Sequence, residues 1–308
     1  MNLLSRLLPP QHLWNDPLFR SQARTVKWGE SWAIMRDRTF AWLIQAFLII
    51  VIAWLVCVGI YGITNVLTRS VPNGWLLDFT QGYWVFAIVI SLLANLAIDF
   101  TGISAGLGVI SAEVTSGRYE LIRMSLVRPT RIVASKYMLA QVRVWRDTAR
   151  LMWVRLLLII FGVVIIAWNG FTADSYAIFN YSRGVYDLYP YYILGISAIV
   201  YVIEPYWRMK AVTAIGVALS SRLTTGVGAT LASGLVLLAY WLVQAVMLSA
   251  LSFMLSIVTI WMLFDEIALL VCFPIIVAIG GGVIYGFYSI IQRVSLRHAA
   301  WRLTTLET

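Results

Sequence analysis

One carboxylate in this chain stands where a carboxylate is expensive. Asp99 lies deep in the apolar stretch 83–111, with Asn95 one helical turn before it. A charge at that depth must face a bundle interior, a subunit interface or a wet cavity. Two roles remain open: lining a polar translocation path, or accepting hydrogen bonds from Asn95 or a neighbouring helix. Other chemistry-bearing combinations are missing. No Gly-x-x-x-x-Gly-Lys-Ser/Thr segment occurs, so the chain has no P-loop to cradle nucleotide phosphates. His12 and His298 fall outside the apolar stretches, which removes the usual axial ligands for haem held between membrane helices. Cys57 and Cys272 sit inside such stretches as small hydrophobes, giving neither a disulfide framework nor a thiolate metal site. No Ser/His/Asp or metal-ligand grouping has a workable spacing. The expectation is a chain without catalysis, cofactor or metal of its own.

The elements that would position Asp99 are dictated by solvent. The chain is 61% apolar and 12% charged, against roughly 25% charged for a soluble domain, with a mean hydropathy of +0.83. Its solvent is therefore largely lipid, and inside lipid an unclosed chain satisfies its backbone only as helix. A span needs about 20 apolar residues. Six stretches qualify: 40–63, 83–111, 151–168, 190–206, 229–251 and 267–291. The fold expected is an all-α polytopic membrane protein with six transmembrane helices. The uncharged run 223–264 is too long for one span, so 252–264 is expected to dip back or lie along the outer face.

Charge sorts the connections. Segments 1–38, 112–150, 207–226 and 292–308 hold 20 of the 23 Lys and Arg, while the loops at 64–82 and 169–189 hold only Arg69 and Arg183. The positive-inside bias makes the first set cytoplasmic, and both termini with it. Arg155, near one end of its stretch, is expected to snorkel to the headgroups, and Glu204 to form an interfacial salt bridge with Arg208. The net charge of +9 belongs beside the spans, facing membrane lipid rather than nucleic acid. Ahead of the first span, residues 17–38 place Arg20, Arg24 and Lys27 along one helix side, with Trp28 and Trp32 flanking the apolar side. This predicts an amphipathic interfacial helix within a cytoplasmic segment 1–39. Small residues at helix-packing spacing, Gly102 with Gly106, Ser104 with Gly108 and Gly282 with Gly286, would let backbones approach closely.

The longest inner connection reads Ile110-Ser111-Ala112-Glu113-Val114-Thr115-Ser116-Gly117-Arg118-Tyr119-Glu120-Leu121-Ile122, then Pro129-Thr130-Arg131-Ile132-Val133 and Lys136. Here the chain resembles the permease subunits of ABC-2 type transporters. They leave their second span with an acid, a short polar stretch, Gly, a variable pair and Glu-Leu, followed by a turn and Ile-Val-x-x-Lys. Glu113, Gly117, Glu120, Leu121, Ile132, Val133 and Lys136 match. Arg118 stands where the family often has Thr, and the turn proline comes late, as Pro129. The amino-terminal Asp16-Pro17-Leu18-Phe19-Arg20 also looks like the family's connecting helix.

The resemblance implies that 112–150 is a cytoplasmic coupling-helix loop within a transmembrane domain 40–291, followed by a cytoplasmic tail 292–308. Glu113, Gly117, Arg118, Glu120, Leu121, Pro129 and Lys136 would then contact an ATP-binding subunit that holds the ATP and Mg. A second permease subunit, identical or related, would complete an exporter in a prokaryotic cytoplasmic membrane. Two other classes fit the residues: a structural or assembly subunit of a larger membrane complex, and a secondary transporter.

Overall fold

The computed structural model describes residues 45, 49, 52, 54–56, 60, 63, 75–115, 128–173, 189–222, 226–262 and 266–305. Among them the regular structure is α-helix throughout. The long helices are α1 (Trp75–Thr115), α2 (Pro129–Ala173), α3 (Tyr189–Ser220), α4 (Gly226–Met262) and α5 (Glu266–Thr305). Among the described residues four segments are long and apolar enough to cross a membrane: Phe79–Leu107, Pro129–Ile166, Leu231–Leu251 and Cys272–Thr305. Large apolar side chains such as Leu235, Leu231, Phe253 and Phe100 stand exposed along the helices, as a lipid solvent permits. The chain is a membrane protein. Most of the stretch 40–63 lies outside the described residues. The stretch 190–206 is helical within α3, which carries Glu204 at its middle and Arg208 and Lys210 in its second half.

The helices overrun the apolar stretches. α2 has 45 residues, roughly 67 Å at about 1.5 Å per residue, against a hydrocarbon core of about 30 Å. Its first turn opens with Pro129, whose fixed φ and missing N–H suit that position, and the Arg128 carbonyl accepts from the Arg131 and Ile132 amides at 2.9 and 3.3 Å. Residues 129–150, expected as part of a connecting loop, therefore continue the third apolar stretch as one helix. Residues 292–305 likewise extend α5. The expected dip after the fifth span is corrected for 252–262, which prolong α4 to Met262. From Leu235 to Met262 there is neither Gly nor Pro, so nothing releases the backbone from its helical bonds.

The chain forms two compact units. The first comprises the described residues within 96–148 and 204–305. Its core has two layers. One gathers Ile110, Ile132, Val133, Ala140, Val217, Ala299 and Leu303, and the other Ile103, Ala211, Val212, Ile215, Leu237, Tyr240 and Tyr288. Between them α1 meets α3 at bare backbone: a Cβ on Gly106 would come within 2.7 Å of the Gly216 backbone, and one on Gly216 within 2.6 Å of the Ile103 carbonyl oxygen. Only glycine permits that approach. Gly102 is also packed, against Val212, whereas Cβ atoms on Gly282 and Gly286 would meet nothing within 4 Å.

The second unit comprises the described residues within 45–95 and 149–203. Trp84 lies flat on Gly162, where a Cβ would approach its ring to 2.7 Å, and donates from Nε1 to the Leu158 carbonyl at 2.8 Å. Phe161 meets Trp54 and Tyr83 edge to face, with centroids 6.4 and 6.3 Å away.

Candidate functional site

The polar residues of the first unit converge on Asp99. Its side chain is 0% exposed, which in an apolar span is tolerable only with donors on both oxygens. α3 supplies them through Arg208, which donates from Nε to Oδ1 at 2.7 Å and from Nη2 to Oδ2. This is the two-pronged fork that a planar guanidinium makes with a carboxylate. α4 adds Trp241, whose Nε1 donates to Oδ2 at 2.7 Å. Arg208 Nη1 also reaches Glu204 Oε1 at 3.4 Å, one turn back on the same helix. Glu204 Oε1 accepts from the Tyr288 hydroxyl of α5 at 2.6 Å, and that hydroxyl accepts from Gln244 Nε2 of α4 at 3.1 Å. The Arg208 guanidinium carbon lies 5.8 Å from the centre of the Tyr240 ring.

One buried cation thus sits between two acids, and the network ties α1, α3, α4 and α5. In a solvent without hydrogen bonds of its own, such a cluster sets helix register, because slipping α1 past α3 would leave a charge unmatched and slipping α4 or α5 would leave a buried polar group without its partner. Of the two roles open to Asp99, its geometry is that of a carboxylate hydrogen-bonded to neighbouring helices. Asn95 is buried as well, in the second unit. Glu204 does meet Arg208, but Asp99 is the closer partner of that cation. Trp241, Gln244 and Tyr288 escaped the sequence reading. Gln244 was the available signal, being an amide in a run of apolar residues.

Arg155 corrects an expectation. It is 0% exposed and does not snorkel, because α2 starts at Pro129 and carries Arg155 more than twenty residues past the start of its helix. Within the second unit its Nη1 donates to the Tyr201 carbonyl at 2.7 Å, its Nη2 approaches the Ser91 carbonyl at 3.5 Å, and its guanidinium lies 4.6 Å from the Tyr201 ring centre. The Tyr201 hydroxyl is hydrogen-bonded to that of Ser91. The Tyr201 carbonyl is available for a reason of sequence: four residues on stands Pro205, inside α3 and without the N–H that would have occupied it.

The coupling-loop residues are divided. Glu113 lies in the last turn of α1 and Pro129 opens α2. Lys136 is buried with Ile132 and Val133, the rest of the matched run, and those two apolar residues belong to the core layer that joins α1, α2, α3 and α5. Gly117, Arg118, Glu120 and Leu121 fall in 116–127, outside the described residues, as do Arg20, Arg24, Lys27, Trp28 and Trp32. Nearby, Tyr137 donates to the Lys210 carbonyl at 3.1 Å, and the Lys210 ammonium lies 4.2 Å from the Tyr206 ring centre. Burial holds the Lys210 pKa below the usual lysine range. Among the described residues no three His, Cys, Asp or Glu side chains group as metal ligands. No family model, curated protein or solved structure matches the chain.

Proposed function

We propose that this chain is the membrane-spanning permease subunit of an ABC-2 type exporter, with six spans and both termini in the prokaryotic cytoplasm. A separate ATP-binding subunit drives it, and a second permease subunit completes the pathway. The observation that carries this reading is the setting of the motif segment. Residues 116–127, which include the Gly and Glu-Leu of the resemblance, join the end of α1 to the start of α2. The Ile132 and Val133 that follow are built into a core containing Ile110, Val217 and Leu303. A displacement applied at that connection would therefore act on the ends of four helices at once, a lever suited to force made elsewhere.

Purification of the full chain from its own membrane tests the reading. The expected companion is an ATPase bearing Walker motifs, and ATP should drive transport in vesicles reconstituted with both. The E113A/E120A variant should insert normally yet leave ATP hydrolysis uncoupled from transport. An ion gradient driving transport without ATP would point to a secondary transporter, and copurification with a complex lacking any ATPase would point to an assembly subunit. Either result removes this proposal.

A further inference from the structure

We propose that the end of α5 holds an anionic phospholipid, with its phosphate on Arg222 and Arg302 beside Trp301 and an acyl chain along the helix. The first observation is unbalanced charge. Arg222, in the turn after α3, donates from Nε to His298 Nε2 at 2.8 Å, so that imidazole nitrogen carries no proton and neutralises nothing. Among the described residues no carboxylate pairs with Arg222 or Arg302. Arg302 Nε is buried and makes no hydrogen bond. A half-buried guanidinium without an acceptor is costly, and a phosphate oxygen is the acceptor its fork fits best.

The second observation is an apolar track leading to those cations. Ile279, Val283, Ile290, Val294 and Trp301 follow spacings of four, seven, four and seven, which places them in one line on a helix. All five are exposed, from 45% at Val283 to 63% at Ile290. Near its end the line is bordered on one side by the exposed Arg293 and Arg297, and on the other by His298 and Arg302. The Trp301 ring stands 5.8 Å from the His298 ring and 5.9 Å from the Arg302 guanidinium, centre to centre. An aliphatic line that ends at an amphipathic indole ringed by cations matches a molecule with an acyl chain at one end and a phosphate at the other. A free anion would have no use for the line. This inference stands whether or not an ATPase docks on the chain.

The test reads Trp301 by difference between the wild-type chain and W301F, both reconstituted in vesicles. Brominated phosphatidylglycerol and brominated phosphatidylcholine serve in turn as quenchers. The site predicts that phosphatidylglycerol quenches the Trp301 emission at a roughly twenty-fivefold lower mole fraction than phosphatidylcholine, since each of the two arginines at an anionic surface is worth about fivefold. R222Q/R302Q should bring the two lipids to parity, and R222K/R302K should keep most of the preference. Inorganic phosphate should leave it unchanged. Parity in the wild-type chain overturns the proposal even if the Gln variant fails to fold, and so does a preference that survives in R222Q/R302Q. Loss of the preference on adding inorganic phosphate would mean a free-anion site. Trp301 unquenched by either lipid would mean that protein, a second copy or a partner, covers this face.

Discussion

The two units each bury an arginine, and they compensate it differently. In the first, Arg208 meets the carboxylates of Asp99 and Glu204, charge against charge, with Trp241 and Tyr288 completing the oxygens. In the second, Arg155 rests on a main-chain carbonyl and on the face of the same residue's ring. A carboxylate partner is strong but unforgiving, because removing it strands a charge. A carbonyl and a ring are weaker partners that carry no net charge of their own, so losing the cation leaves neither of them ionised. The glycines repeat the contrast. Gly106 and Gly216 set backbone on backbone, whereas Gly162 makes room for one indole.

The largest effect should follow from D99L, which takes the two-pronged partner from Arg208 and leaves it only the single contact to Glu204 at 3.4 Å. A loss of about 3–5 kcal/mol is expected from thermal unfolding in detergent, and D99L/R208M/E204Q, which also removes the charge Glu204 would otherwise keep without its cation, should recover most of it. If that triple variant is no more stable than D99L, the pair is not what compensates the cation. Next comes G106L, which forces a side chain between two backbones. It should cost about 3 kcal/mol and disrupt α1–α3 packing, whereas G162A, which asks only Trp84 to move, should cost about half that by the same measurement.

R155M probes the milder arrangement, with an expected loss of about 1–2 kcal/mol. P205A should soften that loss, because an alanine N–H returns to the Tyr201 carbonyl the donor that proline withholds. Additive effects of R155M and P205A would show that the carbonyl is not the shared element. Y288F should be the smallest perturbation, about 0.6 kcal/mol, since hydrogen bonds between membrane helices average near that value. A loss several times larger would mean that Tyr288 O–H is essential to holding Glu204 in the membrane.

Much of this is legible in the residues alone. Long apolar runs demanded helices, since lipid offers the backbone no other donor or acceptor. Asp99 was conspicuous because an acid in such a run must find company. The identity of that company was not readable: Arg208 lies 109 residues away and seemed committed to Glu204, its neighbour by helical spacing. The apolar stretch 151–168 is only part of the element that carries Arg155. The helix in fact starts at Pro129, and nothing in 130–150 breaks it. The run after Leu251, expected to dip back or lie along the outer face, stays in α4 as far as Met262, with neither Gly nor Pro to interrupt it.

Residue types alone determined the solvent, the helical class and the cost attached to each charge in an apolar run, because these depend on transfer energies that act residue by residue. Which cation meets which acid, which glycines touch, and which carbonyl a proline leaves open to an arginine on another helix were decided only by tertiary structure. They depend on the register and approach of helices far apart in the chain, and no local property of the residues encodes a distance between them.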